Sequence, residues 1–323
     1  MPDLVTHTYF GEKVFNSLDD EIKKCITNKE LYLFATAGPD PFFFYEFLKS
    51  KENKKVRNIG NRMHIENTKM FFINLIEEIK EADDKEILFS YLCGFITHFS
   101  LDSFIHPYIF HKTGIYDEDN PTDLTYRGLH TKLERAIDCY IIKKYYNRKP
   151  YSFKIYKEVL KLKKLPNEIY NNLDNVFYKT YGINNIAQII NQTVVDQRKF
   201  YKFIYDPFGI KNLIFKLIDK KNHGLDYTVL SYYGKQINDI DIFNKEKNIW
   251  RNPVNINIKS DDSVFELIDK AEDKCKKMIE ASYKEIFINE NNNYKDVFEY
   301  ISYLSGQDLK VPQKMKYFNN IFK

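Results

Sequence analysis

The stretch His98-Phe-Ser-Leu-Asp102-Ser-Phe-Ile-His106-Pro107 decides how this chain folds and what it handles. Its two histidines and its aspartate recur every four residues in an otherwise largely apolar run. Four residues is just over one helical turn, so on a helix these side chains face the same way. An apolar helix belongs inside a protein, where a charged group is costly unless something pairs with it. His130-Thr-Lys-Leu-Glu134 repeats the four-residue step from a second helix, and three of the seven histidines fall in these two stretches. Imidazole nitrogen and carboxylate oxygen are natural zinc ligands. A lone pair at this spacing arises by chance on many helices. The longer series, joined by a second helix with the same step, points to a polynuclear metal centre in an all-α protein.

Helical periodicity prevails outward from there. Lys85 to Phe110 reads as one long buried helix, stopped between Pro107 and Gly114. Met70 to Ile79 is a short amphipathic helix. An acidic loop, Asp117 to Asp123, leads to a helix from about Tyr126 to Tyr146, with Leu129, Leu133 and Ile137 at helical spacing. Phe153 to Leu162, Glu168 to Tyr178 and Ile183 to Ile204 continue the pattern, and Pro166 suits a first helical turn. Tyr227 to Val254 reads as an irregular connection. Ser263 caps a helix running through Glu285, with Glu266 as its capping-box partner. Asp296 to Leu304 is expected to be a last short helix. With no repeat, low-complexity linker or strand series, the expectation is one large multi-helical domain over 1–323, its helices from about 263 packed on the rest.

Composition narrows the function classes. The chain has 323 residues, 43% apolar and 16% aromatic, with 26 Phe and 25 Tyr, enough for a large core built on rings. Its 49 basic and 45 acidic residues leave a formal charge of +4, too near balance to demand nucleic acid. Cys25, Cys93, Cys139 and Cys275 show no CxxC spacing, which disfavours a cysteine-based zinc knuckle or redox pair. Cys93 reads as core. No signal segment and no apolar run of eighteen residues is seen, so the expectation is a cytoplasmic protein with no transmembrane segment and no obligate protein partner.

Further candidates lie upstream and downstream. Asp40, in Gly38-Pro39-Asp40-Pro41, either aims its carboxylate into a site or caps a helix beginning at Pro41. Taken alone, His7 and His64 would be surface or core histidines more often than ligands. His111 competes with His106, and His223 reads as a surface residue. The aromatic run Phe42 to Tyr45 suits core packing or a wall for acyl chains or bases.

Taken in order, His7, Asp40, His64, His98 with Asp102, His106, then His130 with Glu134 resemble the zinc-dependent phospholipase C family, helical enzymes related in fold to the P1/S1 nucleases. The resemblance covers roughly residues 1 to 254. It implies two or three zinc ions and hydrolysis of phosphodiester bonds, of phospholipids first, with a nuclease-like specificity or a non-catalytic metal-binding protein as alternatives. Transient contact with a membrane surface goes with a phospholipid substrate. By the same resemblance Asp40, His64, His98 and Asp102 would hold one zinc, and His106, His130 and Glu134 a second. His7 and Asp102 would serve a third, with Asp102 bridging. Asp40 would also orient the attacking water or accept its proton.

Overall fold

A computed structural model describes residues 3–47, 49, 53–116, 126, 128–221, 227–232, 240–289 and 293–322. Helices begin well before the first periodic run. They are α1 (Leu4–Ser17), α2 (Asp20–Cys25), α3 (Lys29–Ala35), α4 (Lys54–Ile65), α5 (Thr68–Glu81) and α6 (Lys85–Thr113). After these come α7 (Leu129–Lys144), α8 (Ile155–Glu158), α9 (Tyr170–Tyr181), α10 (Ile186–Ile204), α11 (Ile210–Lys221) and α12 (Val264–Tyr283). The described strands are a two-residue antiparallel pair, Trp250–Arg251 with Lys259–Ser260.

The fold is organised around α6. Among described residues it is the one helix long and apolar enough to cross a membrane, and 89% of its most apolar window is buried inside the fold. The expectation of no unbroken apolar run of eighteen residues holds, since Ser90, Thr97, His98, Ser100 and Asp102 interrupt the helix; it is the average over the window that is high. The helices α12 and α3 pack most extensively against it. At Gly94 the α3 backbone comes so close that an added Cβ would lie 2.2 Å from the Tyr32 carbonyl oxygen, so only glycine fits. Phe95 and Phe99 of α6 form a fully enclosed aromatic layer with Phe71 and Phe72 of α5, each ring worth up to about 3 kcal/mol of transfer free energy. Cys93 is buried, as core placement requires.

Gly114 ends α6 with a positive φ of 73°, inside the expected stop. Carbonyls in the last turn of a helix need donors from elsewhere. The C-terminal segment supplies two: the N–H groups of Asn319 and Ile321 donate to the oxygens of His111 and Lys112. The capping box at Ser263 and Glu266 is present, and α12 follows it.

Several boundaries differ from the periodicity reading. Phe153 to Leu162 keeps only the four residues of α8. Beyond them Leu160 and Leu162 are buried while Lys161 and Lys163 are exposed, a two-residue alternation that suits extended chain. Asp296 to Leu304 is not a helix. A short 3-10 turn, Tyr294–Val297, leads through irregular chain to a turn at 303–305, where the backbone of Tyr303 is engaged by α4 and α6, as shown below. The helix expected from Tyr126 starts at Leu129, after Gly128 at φ 74°. The acidic loop 117–123 and His223 lie outside the described residues, as does part of the irregular segment from 227 to 254.

Candidate metal centre

The polar side chains of the site arrive on several pieces of scaffold: His7 on α1, Asp40 on a short turn, His64 on α4, His98, Asp102 and His106 on α6, and His130 and Glu134 on α7. His7 sits on the second turn of α1, whose start is anchored from two sides. Asp3 caps it, accepting from the Leu4 N–H at 2.8 Å. Asp138 of α7 accepts from the N–H groups of Val5 at 3.2 Å and Thr6 at 2.8 Å, and from the Thr6 hydroxyl at 2.6 Å. The free donors of one helix are thus satisfied by a carboxylate on another. Asp3 also pairs with Arg135 at 2.6 Å and accepts from Tyr201 at 2.5 Å, tying α1 to α7 and α10.

Asp40 opens the short 3-10 turn Asp40–Phe44. Its Oδ1 is buried and accepts no hydrogen bond among the described residues, so it faces the site instead of capping a turn. Gly38 makes this placement possible. Its φ is +51°, and a Cβ there would fall 2.4 Å from the His98 ring. Any other residue would carry left-handed strain and a collision with that imidazole.

Three rings are fixed by backbone carbonyls on their far side. Nδ1 of His64 donates to Gly60 O at 2.7 Å, that of His98 to Thr36 O at 3.2 Å, and that of His106 to Tyr303 O at 2.9 Å. Donation from Nδ1 sets the tautomer, leaving the Nε2 lone pair turned toward the site. Tyr303 was not legible in the sequence. Its carbonyl holds His106 and its N–H donates to His64 O at 2.9 Å, so one residue from the C-terminal segment braces two helices of the site. A contact spanning 197 residues leaves no local signal.

The side chains converge into three groups, each with one donor atom per residue within 4.8 Å of the others: His7, His98 and Asp102; Asp40, His64 and His98; His106, His130 and Glu134. Asp102 Oδ1 lies 3.3 Å from His7 Nε2, while its Oδ2 lies 3.0 Å from His98 Nε2 and 3.5 Å from His106 Nδ1. Asp40 Oδ1 is 3.5 Å from His64 Nε2 and 3.8 Å from His98 Nε2. Glu134 Oε1 is 2.7 Å from His130 Nε2 and 3.8 Å from His106 Nε2. His111, the competitor of His106, is elsewhere: its Nδ1 meets Tyr317 O at 3.1 Å.

This geometry fits zinc better than it fits a hydrogen-bond network. Ligands 2.0–2.2 Å from a tetrahedral ion stand roughly 3.3–3.6 Å from one another, near most of these separations and beyond the best hydrogen-bond lengths. Both oxygens of Asp102, both ring nitrogens of His7, and Nε2 of His64, His98 and His106 are buried without a hydrogen-bond partner among the described residues. Burial pushes the His7 and His106 imidazoles down to about 4, so both are neutral with a lone pair to give. Burial likewise pushes Asp40 well up. Neither Asp40 nor Asp102 has a lysine or arginine partner among the described residues. Buried carboxylates beside neutral imidazoles are costly to keep charged unless cations join them.

A cleft of about 170 Å³ opens on this centre. It is lined by Asp40 and Glu134 of the centre, by the apolar Phe44, Phe200, Leu4 and Leu230, and by the polar Asp3, Arg135 and Gln197. The aromatic run therefore divides its roles. Phe42 packs on Phe177 in the core, Phe43 lies 6.0 Å from the His64 ring, and Phe44 faces the cleft.

No curated protein and no solved structure matches this chain. A model of the family described as zinc dependent phospholipase C matches residues 6–185. That span runs from the residue before His7 to beyond Glu134, so it contains every side chain of the three groups. It also covers more than half of the 323 residues. With the family's span and the zinc-ready clusters coinciding, this all-helical chain belongs to the zinc-dependent phospholipase C family and is a phospholipase C-like, zinc-dependent hydrolase of phosphodiester bonds, with clusters suited to two or three zinc ions.

Proposed function

We propose that the substrate is a phospholipid, and that its phosphodiester lies over Asp40 and Glu134 with its acyl side against Phe44 and Phe200. The observation that carries this reading is the mixed lining of the cleft, in which two carboxylates of the centre share one space with aromatic and aliphatic side chains. A molecule that fits must itself be amphiphilic. A nucleic acid would call for a basic track beside the aromatic faces, and the polar lining of the cleft carries Asp3 against Arg135.

Asp40, His64, His98 and Asp102 are assigned to one zinc, His106, His130 and Glu134 to a second, and His7 with Asp102 to a third. The separations given above support this division, and Asp102 is the bridge because its two oxygens face different histidines. When bound, zinc supplies Lewis acidity toward a phosphoryl oxygen and toward water. The protein's own part is to hold neutral imidazoles in the right tautomer, to keep the carboxylates from swinging, and to exclude bulk water. Asp40 both belongs to a cluster and lines the cleft. Glu134 shares both properties, and it is the resemblance to the family that assigns Asp40 to orient the attacking water and take its proton.

The test is hydrolysis by zinc-loaded protein of phosphatidylcholine vesicles and of single-stranded DNA, each with and without chelator. Chelator-sensitive release of diacylglycerol, with DNA left intact, is expected. Cleavage of DNA with lipid untouched overturns the phospholipid assignment.

A further inference from the structure

The helix α11 is amphipathic in an unusual direction. Ile210, Leu213, Ile214 and Leu217 recur at the spacing of one helical face, and all are exposed, Leu213 at 60%. Phe208, just before the helix, is 83% exposed. Scattered exposed apolar residues need no explanation, but a contiguous row of this size does. The basic side chains around it also point to solvent: Lys202, Lys216 and Lys220 are exposed. The two described carboxylates nearest it are engaged by backbone N–H groups. Asp206 is buried and accepts from the Asn212 N–H at 2.9 Å, and Asp219 accepts from the N–H groups of Tyr227 and Thr228. Among the described residues the outward face therefore pairs an apolar row with exposed lysines.

We propose that this face docks on a phospholipid bilayer bearing anionic headgroups, the apolar row entering the interface and the lysines meeting the headgroups. An apolar helical face flanked by lysines is the arrangement that binds in the plane of such a surface. Its position suits the cleft. A chain of rings runs from the cleft wall outward: Phe44 to Phe200 at 4.9 Å, Phe200 to Phe47 at 5.5 Å, and Phe47 to the exposed Phe203 at 6.4 Å. A lipid leaving the bilayer beside α11 would meet apolar surface all the way in. The proposal rests on the phospholipid reading above and gives it a docking surface.

The test uses zinc-loaded full-length protein, the double variant Leu213→Glu/Leu217→Glu and the charge variant Lys216→Glu/Lys220→Glu. Co-sedimentation is measured with phosphatidylcholine vesicles with and without about a third phosphatidylserine. Wild type is expected to bind the anionic vesicles at least tenfold better than the neutral ones. The leucine variant should lose at least tenfold on both, and the lysine variant at least about tenfold on the anionic ones alone. Each variant should keep wild-type turnover of a soluble, short-chain phosphodiester. Wild-type vesicle binding by the leucine variant overturns the proposal. So does a concentration-dependent wild-type dimer that this variant abolishes, since the face then belongs to a second copy. Vesicle binding that is intact without any lipid hydrolysis overturns the substrate assignment and leaves the docking surface standing.

Discussion

The helices α6 and α11 are both rich in apolar residues, and they end up in opposite places. On α6 nearly every side chain is covered, including His98, Asp102 and His106, which are 0% exposed. On α11 the apolar row faces solvent and the polar Asn212 is buried. Apolar content therefore decides neither helix's role by itself. What decides it is the surface each meets: α3, α5 and α12 enclose α6, whereas α11 packs chiefly on the short turn Tyr227–Leu230. The polar groups on α6 have no water to turn to, so they must bind something. Those on α11 have solvent, so the apolar groups are the ones without a partner.

The sharpest way to break this contrast is to remove the metal. If buried carboxylates on α6 and α7 are balanced by zinc, folding and metal binding are linked. Chelation is expected to lower the melting temperature by about ten degrees. An unchanged curve after verified zinc removal would mean that α6 tolerates its charges unaided.

Next in size is Asp102→Asn, which keeps the side-chain volume and removes the charge between His7, His98 and His106. Phosphodiester hydrolysis should fall by at least about a hundredfold, roughly 2.7 kcal/mol of barrier, with less zinc retained. His111→Ala, one turn further along the same helix and outside the clusters, should keep both its zinc and its turnover. Loss of zinc from the His111 variant alone would reverse the assignment of His106.

Gly38→Ala probes the wall against which α6 presents His98. Left-handed strain and contact with that ring together should cost about 2–4 kcal/mol in denaturant unfolding. A variant as stable as wild type would show that the turn before Asp40 can shift.

The smallest effect is expected on α11. Leu213→Glu removes no buried contact, so stability should change by less than about 0.5 kcal/mol. A loss of several kcal/mol would show that this face is covered in the folded protein.

Much of the centre was legible because helical spacing is local. His98, Asp102 and His106, and likewise His130 and Glu134, needed only the four-residue step, and the upstream candidates Asp40, His64 and His7 were picked out by order along the chain. None of the helices before Met70 was legible: α2 and α3 are too brief to show a period, and α1 and α4, though 14 and 12 residues long, were not picked out by it either. The helix expected at Asp296–Leu304 failed for a different reason. Its backbone turns at 303–305 and serves His106 and His64 through Tyr303, a demand that no local pattern records.

The sequence by itself determined that the chain is helical, that α6 is buried, and which residue types could hold zinc, because side-chain period and ligand chemistry are properties of neighbouring residues. Only the tertiary structure decided that His7, Asp40 and His64 reach the residues on α6, that Asp138 anchors the start of α1, and that His111 points away. It also decided that one apolar face is enclosed and another left open. Those outcomes depend on which surfaces meet across tens to hundreds of residues, where packing and the need to satisfy buried polar groups select one arrangement.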